Sequence, residues 1–368
     1  MATGNFDAAA ARALGERNGD PDWLIDRRLE ALERFEALPW PETSMEAWKY
    51  TDLKGFSLDV FDPLPEPHAP APTLDDVPEE VQAAIGEVGE RAGFAVQLDA
   101  DVVHQTLDPA VAAKGVVFDT IGRTAAAYPD PVRDALGYVG VTASEEKFAT
   151  LASALMAGGT YIFVPRGVEV ALPLQSFRYI TRAGVAVFPR TVLAVDEGAS
   201  VTYIDHYRSA PLDGPALAAA NVEIYAHPAS NVSYLAVQDW SPTVWHFSVQ
   251  RALVQRDATL RSLAATLGGR FSRTVVESIL DGSGAHSEML GVYFADTDQH
   301  FDHLSLQEHR APNSSSDLYY KGALKGRSRA VYSGLIHIAK EAQKVNSWQA
   351  NRNLILSDEA KADSIPYL

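Results

Sequence analysis

A short pattern returns along the second half of this chain. "EGASVTYID" begins at residue 197, "PASNVSYLA" at 228, "RDATLRSLA" at 256 and "GSGAHSEML" at 282, with a looser relative, "KGRSRAVYSG", at 325. Each is a turn of small or polar residues, then a small residue, then an alternating strand. The four clear copies are spaced 26 to 31 residues apart. One such unit cannot bury its inward face alone. Units stacked at strand spacing make a continuous apolar column, so the period predicts a β-solenoid. A sandwich or jelly roll also supplies many short strands, but it does not require the turn to return at a regular interval. The expected fold is therefore mainly β, a β-solenoid preceded by an α-helical region.

The first 93 residues have a different texture. "DPDWLIDRRLEALERFEALP" places Asp20 as an N-cap and Pro21 at the first helical position. Ile25, Leu29, Leu32 and Phe35 follow at helical spacing. "MEAWKYTDLKGF" then offers Trp48, Tyr50 and Phe56 as anchors. Residues 62–72, "DPLPEPHAPAP", read as a proline-rich linker, and the acidic segment from Thr73 reads as a short capped helix. The β-helix core is expected over 94–368, interrupted by helices at about 119–137 and 144–157. In the second of these Phe148, Leu151, Ala152 and Leu155 share a face. After Gly158-Gly159 nearly everything is strand-like.

Composition narrows the function. The net charge of −17, from 48 acidic and 31 basic residues, repels phosphate backbones and anionic lipids, so neither nucleic acid nor a membrane is expected as a partner. The acidity fits either a salt-loving source or an ordinary acidic surface. The absence of cysteine excludes thiolate catalysis and any all-cysteine metal site within these residues. No apolar run approaches the roughly 18 residues of a membrane span, and the N-terminus has no signal-peptide pattern, which points to the cytoplasm.

The search for a reaction centre finds little. "GGTYIFVP" and "LGGRFSR" lack the lysine of a phosphate-binding loop, and there is no dinucleotide fingerprint or nucleophile elbow. The serine of "DGSGAH" sits in a repeat turn. The densest polar cluster is "TDQHFDHLSLQEHR", with His300, His303 and His309 beside several carboxylates, a donor set able to hold a divalent metal. On a strand, however, His300 and His303 point to opposite faces, which favours hydrogen bonding along stacked strands over one shared site. A polysaccharide-binding or polysaccharide-cleaving solenoid is the other class to weigh, given the many acids and Trp240 and Trp245. Those tryptophans fit packing between coils equally well.

Four stretches in order carry a resemblance. "EAWKYTDL" at 46, "GGTYIFVPRGVEVALPLQ" at 158, "HFDHLSLQEHRAPNSSSDLYYKGALKGRSRAVYSGLIHI" at 300 and "QANRNLILSDEAKADSIPYL" at 349 resemble the SufB/SufD family of iron–sulfur cluster assembly proteins. The Trp48-Lys49-Tyr50-Thr51 segment, followed by a proline-rich linker, looks more like SufD than SufB. The resemblance implies a right-handed parallel β-helix core behind the N-terminal helical region, and a non-catalytic scaffold that pairs with a SufB-like subunit, or with itself, through the β-helix. It also implies a SufC-like ATPase as partner and an iron–sulfur cluster held transiently at a partner interface, with no cofactor assigned to these residues. Family members normally continue beyond the position of Leu368 into a segment with a cysteine and a His-Gly pair, then into a C-terminal helical domain. Cluster ligands and SufC contacts are therefore expected outside these residues. The last stretch itself is expected to form late coils, with Leu354 and Leu356 turned inward.

Overall fold

In the computed structural model, which describes residues 5–86, 89–136 and 146–367, two sheets run the length of a parallel β-solenoid of about seven turns. The strands are β1 (Gly93–Leu98), β2 (Asp101–Leu107), β3 (Val117–Thr120), β4 (Thr160–Val164), β5 (Leu174–Ile180), β6 (Ala186–Val187) and β7 (Arg190–Val195). From there the chain alternates between sheets, one long strand each: β8 (Ser200–Ser209), β9 (Ala216–Ala226), β10 (Asn231–Asp239), β11 (Val244–Val254), β12 (Thr259–Thr266) and β13 (Phe271–Leu280). β14 (His286–Ala295), β15 (His300–His309), β16 (Ser315–Leu324), β17 (Arg329–Ile338), β18 (Asn346–Ile355) and β19 (Lys361–Tyr367) complete the coils. The first sheet is ordered β2-β1-β5-β8-β10-β12-β14-β16-β18, and the second β3-β4-β7-β9-β11-β13-β15-β17-β19. All pairings are parallel except β1–β2 and β3–β4, which close one end of the solenoid with antiparallel strands.

The sequence repeat has a backbone cause. Gly198, Ala229, Asp257, Gly284 and Asn313 all have φ between +57° and +75°. This left-handed conformation turns the chain out of one sheet and into the other. In four of the five the N–H of the turn residue is aimed along the stack. Gly198 donates to Pro228 O at 3.0 Å, Ala229 to Arg256 O at 2.9 Å, Asp257 to Ser283 O at 3.0 Å and Asn313 to Gln343 O at 2.9 Å. The next residue is small and fully buried each time: Ala199, Ser230, Ala258, Ala285 and Ser314. A larger side chain there would push adjacent coils apart.

Between the sheets, side chains stack in rows set by the parallel register. Val201, Val232 and Leu260 make one apolar row, and Tyr203 and Tyr234 another, with ring centroids 6.1 Å apart. In the later coils tyrosines are seated on glycines. Gly291 pairs with Tyr320 and Gly322 with Tyr293, across β14 and β16. A Cβ built on Gly291 would meet the Tyr320 ring at 2.3 Å, and one on Gly322 the Tyr293 ring at 2.0 Å. Two bulky rings thus fit in adjacent coils because each faces an empty position.

The described helices are α1 (Ala8–Asn18), α2 (Asp22–Ala37), α3 (Glu79–Ile85), α4 (Pro109–Ala112), α5 (Ile121–Ala127), α6 (Pro129–Ala135) and α7 (Lys147–Ala154). Five of these seven, α1, α2, α5, α6 and α7, cover the outer face of the second sheet. Phe6, Leu14, Leu32 and Phe35 from the N-terminal region pack with Phe148 and Leu151 of α7 onto Leu217, Trp245, Phe247 and Phe271 of the sheet. Phe148 stacks flat on Phe247 at 3.5 Å. The buried Lys147 donates to the carbonyls of Phe35 and Leu38, each at 2.6 Å, and so ties α7 to the C-terminal end of α2. α3 and the end of the proline-rich stretch cover a different surface, the first sheet around Phe94, Phe177 and Tyr179.

Two local expectations differ from what is observed. α2 is capped by Pro21 without a side-chain bond, because the Asp20 carboxylate is taken by the fully buried Arg28 at 2.7 Å. Leu354 and Leu356 are exposed, at 60% and 49%. The inward positions of β18 belong to Asn351 and Asn353, because the phenol of Tyr293 and the hydroxyl of Ser364 occupy the lumen there and require polar partners. A Gly322→Ala substitution should cost about 1–3 kcal/mol by overpacking against Tyr293. Urea denaturation checks this against Gly89→Ala, which has open space around it and should shift stability by less than about 0.5 kcal/mol.

Candidate partner-docking end of the solenoid

The "EAWKYT" segment is a clasp. Glu46–Trp48 form a single 3-10 turn laid on the outer face of the second sheet. Trp48 is buried, with its ring 3.9 Å from the guanidinium carbon of Arg273 on β13. Arg273 pairs with Asp302 on β15, and Thr51 Oγ1 donates to the same carboxylate at 2.7 Å. Arg273 and Asp302 side chains are each 2% exposed, so each charge depends on the other for solvation. Glu146, just before α7, lies 3.6 Å from Arg273. One ion pair therefore joins the N-terminal motif, the entrance to α7 and two coils.

Beyond this clasp the outer face of the second sheet opens into a groove of about 400 Å³. Its floor is Val275, Leu304, Leu306, Val331 and Leu335, and Tyr50 and Tyr367 stand beside it. The Tyr367 hydroxyl donates to Glu46 Oε1 at 3.3 Å across the mouth. At this end β18 and β19 are the outermost strands of the two sheets, and among the described residues nothing pairs with their far edges. Trp348, Leu354, Ile338 and Tyr367 are exposed around them. The lumen at the same level is polar: Asn351 donates to the Tyr293 hydroxyl at 3.0 Å, Ser364 donates to Asn351 Oδ1 at 2.6 Å, and the hydroxyls of Ser305 and Tyr332 hydrogen-bond each other at 2.9 Å.

The three histidines do not meet in one site. His303 points into the lumen, 1% exposed, bonded to Thr266 Oγ1 at 3.1 Å and stacked on Tyr293 at 4.7 Å. His309 also faces inward, six residues along the same strand, between Ser314 Oγ at 2.8 Å and Ser316 Oγ at 2.9 Å. His300 is on the outer face against Phe271. Burial lowers the pKa of all three, to about 4 for His303. Among the described residues no cluster of three or more His, Asp or Glu side chains could hold a metal ion.

Sequence reasoning missed two buried groups. Arg178 sits inside the solenoid, donating to Asp205 Oδ1 at 2.9 Å and to Thr191 Oγ1 at 2.8 Å, while the hydroxyls of Tyr203 and Tyr234 also reach Asp205. His246 is buried in the lumen with Nδ1 3.0 Å from Ser272 Oγ, and burial holds its pKa down to about 3. The one available signal was the tyrosine recurring at equivalent repeat positions 203 and 234, which marks an inward row.

Comparison with known proteins decides the family. Residues 178–368 match the family model described as the SufBD core domain of the SUF system for FeS cluster assembly, and residues 17–176 match the SufBD N-terminal region. The chain belongs to the SufBD family. It is 29% identical over 365 residues to an iron–sulfur cluster assembly SufBD family protein of Staphylococcus haemolyticus, covering 97% of this chain and 77% of that one. Relatives of the same description from Staphylococcus epidermidis and Staphylococcus aureus are each 29% identical, over 363 and 364 residues, covering 96% and 97% of this chain and 76% and 77% of theirs. The junction between the two SufBD regions falls inside β5, within the solenoid, so the N-terminal region contributes the closing strands as well as the helices. No helix among the described residues is long and apolar enough to cross a membrane.

Two outcomes test this description of a SufBD protein. Arg273→Ala should destabilise the fold by about 3–5 kcal/mol, since it leaves the Asp302 carboxylate buried without its cation. Arg273→Ala combined with Asp302→Ala should recover part of that loss in urea melts; an additive loss would contradict the coupling. The second outcome concerns pH. The unfolded chain takes up protons on His246 and His303 below pH 6.5, while the folded chain keeps both neutral down to about 3 and 4. The unfolded state thus binds more protons in that window, so stability is full above pH 6.5 and falls as pH drops. The loss between pH 6.5 and pH 5 should be about 3 kcal/mol for the two histidines together. His303→Asn should remove about half of the slope measured by urea midpoints.

Proposed function

We propose that this chain is a SufD-like, non-catalytic scaffold subunit of an iron–sulfur cluster assembly complex in the cytoplasm. It pairs through its β-helix with a SufB-like subunit or a second copy, and works with a SufC-like ATPase. The carrying observation is the match to both SufBD regions along one continuous chain. The Trp48-Lys49-Tyr50-Thr51 clasp favours the SufD-like assignment. The lack of a phosphate-binding loop in the sequence supports a subunit that uses a partner's ATP hydrolysis.

The mechanism is architectural. Stacked coils form a stiff rod, and the edges of β18 and β19, unpaired among the described residues, present backbone N–H and C=O groups that a further strand can pair with. The exposed apolar side chains beside those edges add area to such a contact. The clasp carries any displacement of the N-terminal helices directly to β13 and β15. An iron–sulfur cluster is cargo in this scheme, built where the solenoid meets its partner.

Co-expression of the full protein with the SufB-like and SufC-like proteins of its own organism tests the proposal. Stable co-purification of the three is expected, with ATP hydrolysis only when the SufC-like subunit is present. Purification of this chain free of both partners, or ATP hydrolysis by the chain alone, would overturn it.

A further inference from the structure

Residues 62–72 have the composition of a linker, with five prolines in eleven positions. They are held as a strap across the closed end of the solenoid. At one end Asp62 is tied to the second sheet: its N–H donates to Gly184 O at 2.7 Å, and its carbonyl accepts from Ala186 N at 2.8 Å. At the other end Ala71 N donates to Val103 O on β2 of the first sheet at 2.7 Å, and Ala71 O lies 2.9 Å from His104 Nδ1. Proline has no N–H, so between these anchors little backbone is left to hold the strap down. Among the described residues, His68 is the only one between them whose N–H reaches the body of the fold, donating to Asp101 Oδ2 at 2.9 Å.

The middle of the strap is therefore locked by side chains. His68 Nε2 lies 2.8 Å from Asp99 Oδ2. Arg17 of α1 pairs with Asp101 and donates from Nη1 to Pro65 O at 2.6 Å. Asp99 makes the turn between β1 and β2, with φ of 47°. Its carboxylate is 1% exposed and accepts from Thr181 N at 2.9 Å and from Thr181 Oγ1 at 2.7 Å. Among the described residues, His68 is the only cation that pairs with it. The His68 side chain is 29% exposed, so its proton exchanges freely with water. The charged groups around the ring are Asp99 and Asp101 on the hairpin and Arg17 on α1. Asp20, Arg28 and Arg123 stand across the cavity that His68 lines, and Glu66, beside it in the strap, is exposed. The bond to Asp99 is the largest influence, and with the two carboxylates it raises the His68 pKa against burial and Arg17.

We propose that residues 62–72 are a proton-operated strap, latched by the His68–Asp99 pair over the closed end of the solenoid and loosened when His68 loses its charge. A neutral imidazole still donates one bond, but without charge assistance, and the buried carboxylate is left with Thr181 alone. The latch is full below the ordinary histidine value of 6.5 and is lost as pH rises through the raised one. Two places respond. His68 and Pro70 form one wall of a cavity of about 180 Å³, with Arg17, Arg28, Asp101 and Gly158 on the others, and lifting the strap opens it to solvent. Asp99 also supports the interior: its carbonyl accepts from Gln97 Nε2 at 2.7 Å, and Gln97 Oε1 accepts from the buried Arg178 at 2.5 Å. The latch thus shares Asp99 with the bonds that position Arg178. It lies at the end of the solenoid away from β18 and β19 and needs no partner.

Hydrogen exchange of the full protein, corrected for the intrinsic rate at each pH, tests the latch. Peptides covering residues 62–72 should be at least about threefold better protected at about pH 6 than at about pH 8.5, while the amides of β10 to β13 gain nothing at the lower pH. His68→Gln keeps a donor without a titrating charge and should abolish the difference. Asp99→Asn keeps a residue that tolerates the left-handed turn and should abolish it as well. Circular dichroism melts establish that both variants fold. Equal protection of the strap at the two pH values in the unmodified protein would overturn the proposal. So would a difference that survives in His68→Gln, which would place the titrating group elsewhere, with His104 the first to examine.

Discussion

The structure depends on backbone hydrogen bonding between coils held in strict parallel register. Every long strand from β9 to β17 pairs with the strand two before and two after it, so each row of side chains is repeated without slippage. The left-handed turn residues make this possible, because they return the chain to the same height and aim an N–H at the next coil. Once that register is set, identity at one position constrains its neighbours above and below. Tyr320 can exist because Gly291 lies beside it, and Tyr293 because of Gly322. A one-residue slip would move every apolar row from the lumen to the solvent.

Against this stack the helical region acts as a cover on one sheet. Its attachment combines aromatic packing, Phe148 on Phe247 above all, with a few buried charges that have a single arrangement each. Lys147 on the end of α2, Arg28 with Asp20, and Arg273 with Asp302 all fix direction as well as position. Buried pairs of this kind contribute little net stability relative to apolar packing, but they are costly to break singly. That combination suits a scaffold in which motion must pass from helices to coils. As a member of the SufBD family, the protein has its place in iron–sulfur cluster assembly, and its architecture is consistent with work done by position.

The solenoid was legible in the sequence because the turn, the buried small residue and the strand recur together, and each has a local physical cause. The helices around Leu32 and Phe148 were legible from their apolar faces. The rest was hidden for a common reason: alternation tells which residues share a face but not which face is covered. Asp302 shares a face with His300, and only the distant Trp48 and Thr51 bury it. Asn351 and Asn353 face inward because Tyr293, some 60 residues earlier, leaves a polar surface in the lumen. Likewise Asp20 has the residue type and position of an N-cap, yet the buried Arg28 claims it. In each case the deciding partner is far away in sequence. Of the candidate site, the histidines were visible as residue types, while their separation by face and by distance along β15 emerged only with the strand in place.

Hydrogen–deuterium exchange of the full protein, with and without its SufB-like partner, addresses the scaffold account most directly. Amides of β18 and β19 should gain protection on complex formation, while the amides of β10 to β13 stay unchanged. Complex formation that leaves the β18 and β19 amides exchanging as before would contradict a scaffold that joins its partner through the coil edges.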